Sequence, residues 1–192
     1  RLKPALAQGL DGGLTINEIK EVLVHLYAYS GFPRSLNALS AFMEVLDERK
    51  AKGIEDVMGR ESTPVPTDLD KDAYGAKVRA ELAGLESVPP PSKWQVFSPV
   101  IDTFLKEHLF ADIFARDVLD RQERELVTVA ALAALPGTEG QLRFHIRAAM
   151  NTGLSEAQMK DVISVLLTRV GKTQAESAQK MLTETLSKKK RG

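Results

Sequence analysis

The 192 residues carry 26 Lys plus Arg against 26 Asp plus Glu, and no cysteine. Disulfides, thiolate metal ligands and catalytic thiols are excluded at once, and the balanced charge gives no bulk attraction to nucleic acid or a membrane surface. Three histidines, His25, His108 and His145, are too few and too dispersed for a metal site, and no apolar run reaches the roughly 18 residues of a membrane span.

Near the start, Thr15 and Glu18 have the spacing of a capping box, in which hydroxyl and carboxylate each satisfy a backbone amide. Ile16, Ile19, Val22, Leu23 and Leu26 then follow the spacing of one helical face, with Leu14 and Ile19 placed as a hydrophobic staple. Gly31 can end that helix in a left-handed turn, and Pro33 can open the next. Residues 59–71 and 88–93 are Pro-rich and polar, hence loops, and 51–98 reads as a connecting segment wrapping outside. Residues 99–115 hold an amphipathic helix or two. Asp120 and Glu123 can cap a helix running to Leu135 that is apolar nearly all round after Arg124, so it should be buried. Pro136 and Gly137 break it. Thr138 and Gln141 suggest another capping box, opening a helix to Asn151 with Leu142, Ile146, Ala149 and Met150 as its buried stripe. Ser155 with Gln158 then repeats the plan of Thr15 with Glu18, and Gly171 repeats that of Gly31.

Caps, staples and stops recur at a constant offset of 140 residues: Gly13 and Gly153, Leu26 and Leu166, Gly31 and Gly171, Ala38 and Ala178. The pattern implies an all-α protein built on a duplicated helical-hairpin unit. Its divisions are 1–50, a first repeat incomplete at its N-terminus; 51–98, the connecting segment; 99–187, a second repeat; and 188–192, a basic tail expected to be solvated. No convincing strand, Gly-rich phosphate loop or nucleophile elbow is present, so nucleotide chemistry is not expected. Because the sequence starts at Arg1, a removed leader stays open; otherwise a cytoplasmic location is expected.

The residues that could carry chemistry lie on adjacent helices. Glu125 sits on the apolar helix and must find a partner or be neutralised. His145, on the edge of the following helix's stripe, can supply one. Arg143 and Arg147 lie one turn apart and could face an anion. A histidine oriented by a carboxylate beside arginines suits proton transfer on an acidic substrate. The same spacing also fits a structural Glu–His pair with solvated arginines. Phe144 should lie on the solvated face and, with Phe104 and Phe110, could mark a contact surface.

The strings FADIFARDVLD (110–120), RQERELVTVAALAAL (121–135) and LRFHIRAAMNTGLS (142–155) resemble the carboxymuconolactone decarboxylase family, and GLTINEIKEVLVHLYAYSGFPRSLNA (13–38) resembles the second half of its repeat. The resemblance implies an all-helical trimer or hexamer that needs no cofactor or metal and decarboxylates a small lactone acid in aromatic catabolism. It implies Glu125 and His145 as catalytic residues and His25 as a further site residue; beside them Arg147 or Arg124 is expected to bind the substrate's acid and Tyr29 to wall the substrate pocket. His25 precedes the Tyr29, Gly31, Pro33 stretch that the family often shows. Alkylhydroperoxidase D-like, peroxiredoxin-type relatives use a Cys-x-x-Cys pair, and here Thr138 and Gln141 stand in its place. A relative that has lost its thiols, or a non-catalytic scaffold or small-acid binder, is the alternative. Ala5 stands where the second repeat has His145, and Val165 where the first has His25. One complementary set per chain therefore remains, and a composite pocket of His25, Tyr29, Glu125 and His145 is expected.

Overall fold

The computed structural model describes the backbone of residues 1–189 and side chains through residue 187. The basic tail therefore lies outside the described residues, apart from the backbone of Lys188 and Lys189. Every regular element described is helical and no strand occurs among the described residues, so the all-α expectation holds. The chain divides into two compact units: residues 1–64 with 116–120, and residues 65–115 with 121–192.

The first unit contains α1 (Leu2–Asp11), α2 (Ile16–Ser30) and α3 (Phe32–Ala51). Thr15 accepts the Glu18 amide proton through its hydroxyl, and Glu18 accepts from the Thr15 backbone, completing the capping box. Gly31, at φ +83°, separates α2 from α3. Leu6, Leu10, Ile19, Leu23, Ala38, Phe42 and Val45 form the core of these three helices. The chain then returns past the start of α2, where the Ile16 and Asn17 amides donate to Val57 and Met58 carbonyls at 2.9 Å. These bonds satisfy two of the donors that a helix start leaves open. The approach is close: a Cβ on Gly59, whose φ is +79°, would fall 2.3 Å from the Thr15 hydroxyl oxygen.

The second unit begins with α4 (Lys71–Leu82), α5 (Lys93–Phe97) and α6 (Pro99–Thr103). A π-helical segment, Phe104–Ile113, runs directly on from α6. The expectation of an outer connecting segment over 51–98 gives way here, because α4 is a core helix with Val78 and Leu82 each 1% exposed. Its fit against the π segment is backbone to backbone, since a Cβ on Gly75 would meet the Lys106 carbonyl oxygen at 2.0 Å. Asp102 clasps the surrounding pieces: Arg79 and Gln95 donate to it at 2.7 and 2.9 Å, and Lys106 lies 3.3 Å away. Burial alone would raise the Asp102 pKa, but the hydrogen bonds from Gln95, Arg79 and Lys106 outweigh it and hold the carboxyl below its ordinary value.

Helices α7 (Arg121–Ala134) and α8 (Glu139–Asn151) form one hairpin, and α9 (Glu156–Arg169) and α10 (Lys172–Lys189) another. The α7 helix is not buried all round. Arg124, Glu125, Thr128, Val129, Leu132 and Ala133 are buried, whereas Leu126, Ala130 and Ala134 are exposed; alanine's small apolar area makes that exposure cheap. Thr138 forms no capping box with Gln141. Its hydroxyl turns back instead to the Leu132 and Leu135 carbonyls, at 2.8 and 3.0 Å, serving the open acceptors at the end of α7 rather than the open donors of α8. Ser155 and Gln158 do complete their box on α9. The three helices α8–α10 start and stop close to 140 residues after α1–α3, with Ile16 matched by Glu156 and Phe32 by Lys172.

Candidate functional site

In the second unit, the short turn between α7 and α8 folds the two helices against each other. That hairpin brings Glu125 and His145 together: Oε2 of Glu125 lies 2.7 Å from Nδ1 of His145. Glu125 is fully buried and His145 is 6% exposed. The second carboxylate oxygen, Oε1, is buried with no hydrogen-bond partner. A carboxylate held this dry strengthens its bond to the ring and fixes the ring's orientation, and its unused oxygen is an acceptor available to a donor brought into the site.

The remaining candidates divide between places. Arg124 is fully buried beside Glu125, with its guanidinium 5.8 Å from the centre of the Phe114 ring. Arg147 is exposed and lies over Phe144, 5.7 Å from the ring centre. Two residues apart on a helix, Arg147 and His145 diverge by about 200°, and Arg147 borders a cavity that His145 does not line. Arg143 pairs with Glu184 at 3.1 Å. Phe144 is half-buried, not solvated, and its ring meets His145 edge-on at 5.1 Å. Phe110 is buried at 4% exposure and cannot join Phe104, 61% exposed, on a surface.

His25 and Tyr29 belong to the first unit, one turn apart on α2, with ring centroids 5.3 Å apart. His25 is fully buried, which rules out a flank residue satisfied by solvent. It completes a stripe that sequence reading passed over. Asn17, Glu21 and His25 recur every fourth residue and are all buried. Glu21 accepts from Arg116 Nε through both oxygens at 3.0 Å and from Nη2 at 2.8 Å, while the Asn17 amide donates to the Gly59 and Arg60 carbonyls. The signal was available, since three polar residues at helical spacing on one face of an otherwise apolar helix are costly unless partnered. Among the described residues, no group of three or more His, Asp or Glu side chains could hold a metal ion.

Comparison with known proteins converges on the segment that holds the dyad. The carboxymuconolactone decarboxylase family matches residues 99–184, from the start of α6 into α10. The chain is also 32% identical to 4-carboxymuconolactone decarboxylase of Acinetobacter baylyi over 97 residues, which cover 50% of this chain and 72% of that protein. With Glu125 and His145 paired inside the matched region of an all-helical chain, the protein belongs to the carboxymuconolactone decarboxylase family.

Proposed function

We propose that this chain catalyses cofactor-free decarboxylation, or closely related proton transfer, on a small lactone or carboxylic acid. The observation that carries the reading is the buried pair of His145 Nδ1 and Glu125 Oε2 at 2.7 Å, with Oε1 left without a partner. In a lactone acid of this type the bond to the carboxylate carbon breaks and CO2 leaves. The electron pair passes through the ring alkene to the lactone carbonyl oxygen, so the substrate is its own electron sink. The protein must bind the acid, stabilise the enolate charge and return one proton to carbon. Glu125 orients His145 through Nδ1, and the protonated ring delivers its Nε2 proton. Arg124, buried beside Glu125, neutralises the acid. The naming of the Acinetobacter baylyi relative as a 4-carboxymuconolactone decarboxylase supports the substrate class.

The reading includes a homo-oligomer, a trimer or hexamer. Its support is apolar exposure on the second unit, where Val96, Phe97, Val100 and Phe104 are 61–91% exposed. A monomer mass by light scattering at micromolar concentration would reject that part.

The chemical test is CO2 release from a panel of γ-lactone acids, with hydroperoxide consumption followed in parallel. The wild type should release CO2 and consume no peroxide above background. His145→Ala should be slower by about 100-fold or more, the scale of a positioned acid. Equal turnover by the two proteins would remove His145 from the mechanism, and absence of CO2 release across the panel would remove the decarboxylase reading.

A further inference from the structure

Helix α8 presents two distinct faces. Leu142, His145, Ile146 and Ala149 are buried. Arg143, Phe144 and Arg147, with Gly140 a turn earlier, border a cavity of about 420 Å³ that Ala83 after α4 and Thr185 of α10 also line. The volume lies in the range of small-molecule sites. Its lining includes two guanidinium groups and no carboxylate. Arg143 is compensated by Glu184 at 3.1 Å, whereas Arg147 pairs with no acid among the described residues. The Arg147 guanidinium is steadied over the Phe144 ring instead. At the Gly140 end of the lining the space is open, because a Cβ built there meets no atom within 4 Å.

We propose that this cavity binds a small carboxylate with a flat apolar body. One uncompensated guanidinium calls for one negative charge, and its planar fork matches a carboxylate's two oxygens. The Phe144 ring and Ala83 offer an apolar wall on which a ring can stack. His145 takes no part in the lining, so the site stands whether or not the Glu125–His145 pair is catalytic.

The test uses 2-naphthoate and its uncharged analogue 2-naphthamide, titrated calorimetrically into the whole chain. The wild type should bind one naphthoate per chain saturably and bind the amide at least about tenfold more weakly, the scale of a lost charge-assisted hydrogen bond. Arg147→Met should weaken naphthoate by about tenfold or more. Gly140→Leu fills the open space with a better helix former and should abolish binding with helicity intact. The proposal is overturned if the wild type shows no saturable binding, if the amide binds as tightly as the acid, or if Arg147→Met or Gly140→Leu binds like the wild type.

Discussion

Helices α1–α3 and α8–α10 share one plan and put polar residues in opposite places. On α2, Asn17, Glu21 and His25 are buried; 140 residues on, Ala157, Asp161 and Val165 of α9 are all exposed. The relation reverses on the preceding helix, where Ala5 of α1 is exposed and His145 of α8 is buried. What the segments keep is local: a capping box opening the middle helix and glycines Gly13 and Gly153 at φ +96° and +117° before it. The last tight turn is kept as well, with Leu14 donating to Gly9 and Leu154 to Ala149, both at 3.0 Å. Frame and chemistry vary independently, because a cap needs only its own three or four residues whereas a buried carboxylate needs a partner from elsewhere.

The comparison can be tested by removing matched residues. Glu21→Ala should cost about 2 kcal/mol, below the full penalty for breaking a buried pair because Arg116 is 39% exposed and keeps some water. The matched change Asp161→Ala, at an exposed position, should stay within about 0.5 kcal/mol. Urea unfolding of both variants decides it, and equal losses would mean that the two faces do not differ in their energetic role. The caps should behave alike instead. Thr15→Ala and Ser155→Ala should each cost about 1 kcal/mol, and a large inequality would break the likeness of the two frames.

The smallest effect expected is on pH dependence, and it tests the second unit alone. The Asp102 carboxyl is held below its ordinary value of 3.8. A depressed carboxylate contributes stability above its unfolded pKa, and that contribution disappears as pH falls through the folded value. Stability should therefore fall as the pH drops from about 5 through the ordinary carboxylate value and on below it, and Asp102→Asn should flatten that slope while lowering stability at pH 6. An unchanged slope would show that Asp102 is not the group being titrated.

Much of this was legible from residue order, for a physical reason. Capping boxes at Thr15 and Ser155 are local, and Glu125 meets His145 because consecutive helices in a hairpin must touch. Helix α4 escaped notice because two of its buried positions are Gly75 and Ala80; small residues bury backbone and leave no apolar period to read. The π segment defeats periodicity differently, since its wider turn shifts Leu109, Phe110 and Ile113 off the 3.6-residue spacing. Thr138 was misread because a hydroxyl between two helices can serve either end. Arg147 was grouped with His145 by nearness in sequence, although positions two apart on a helix do not share a face.

The contact between Gly75 and Lys106 has a consequence for what mutation can reach. The carbonyl that would stop a Cβ at position 75 belongs to the same residue whose amine lies 2.5 Å from Asp72 and 3.3 Å from Asp102. One added carbon at position 75 would act as a wedge, because a backbone carbonyl cannot swing aside as a side chain can. The displacement would be handed directly to three charged groups. Every substitution that replaces glycine with another residue adds at least that carbon, so position 75 has no small step away from Gly75.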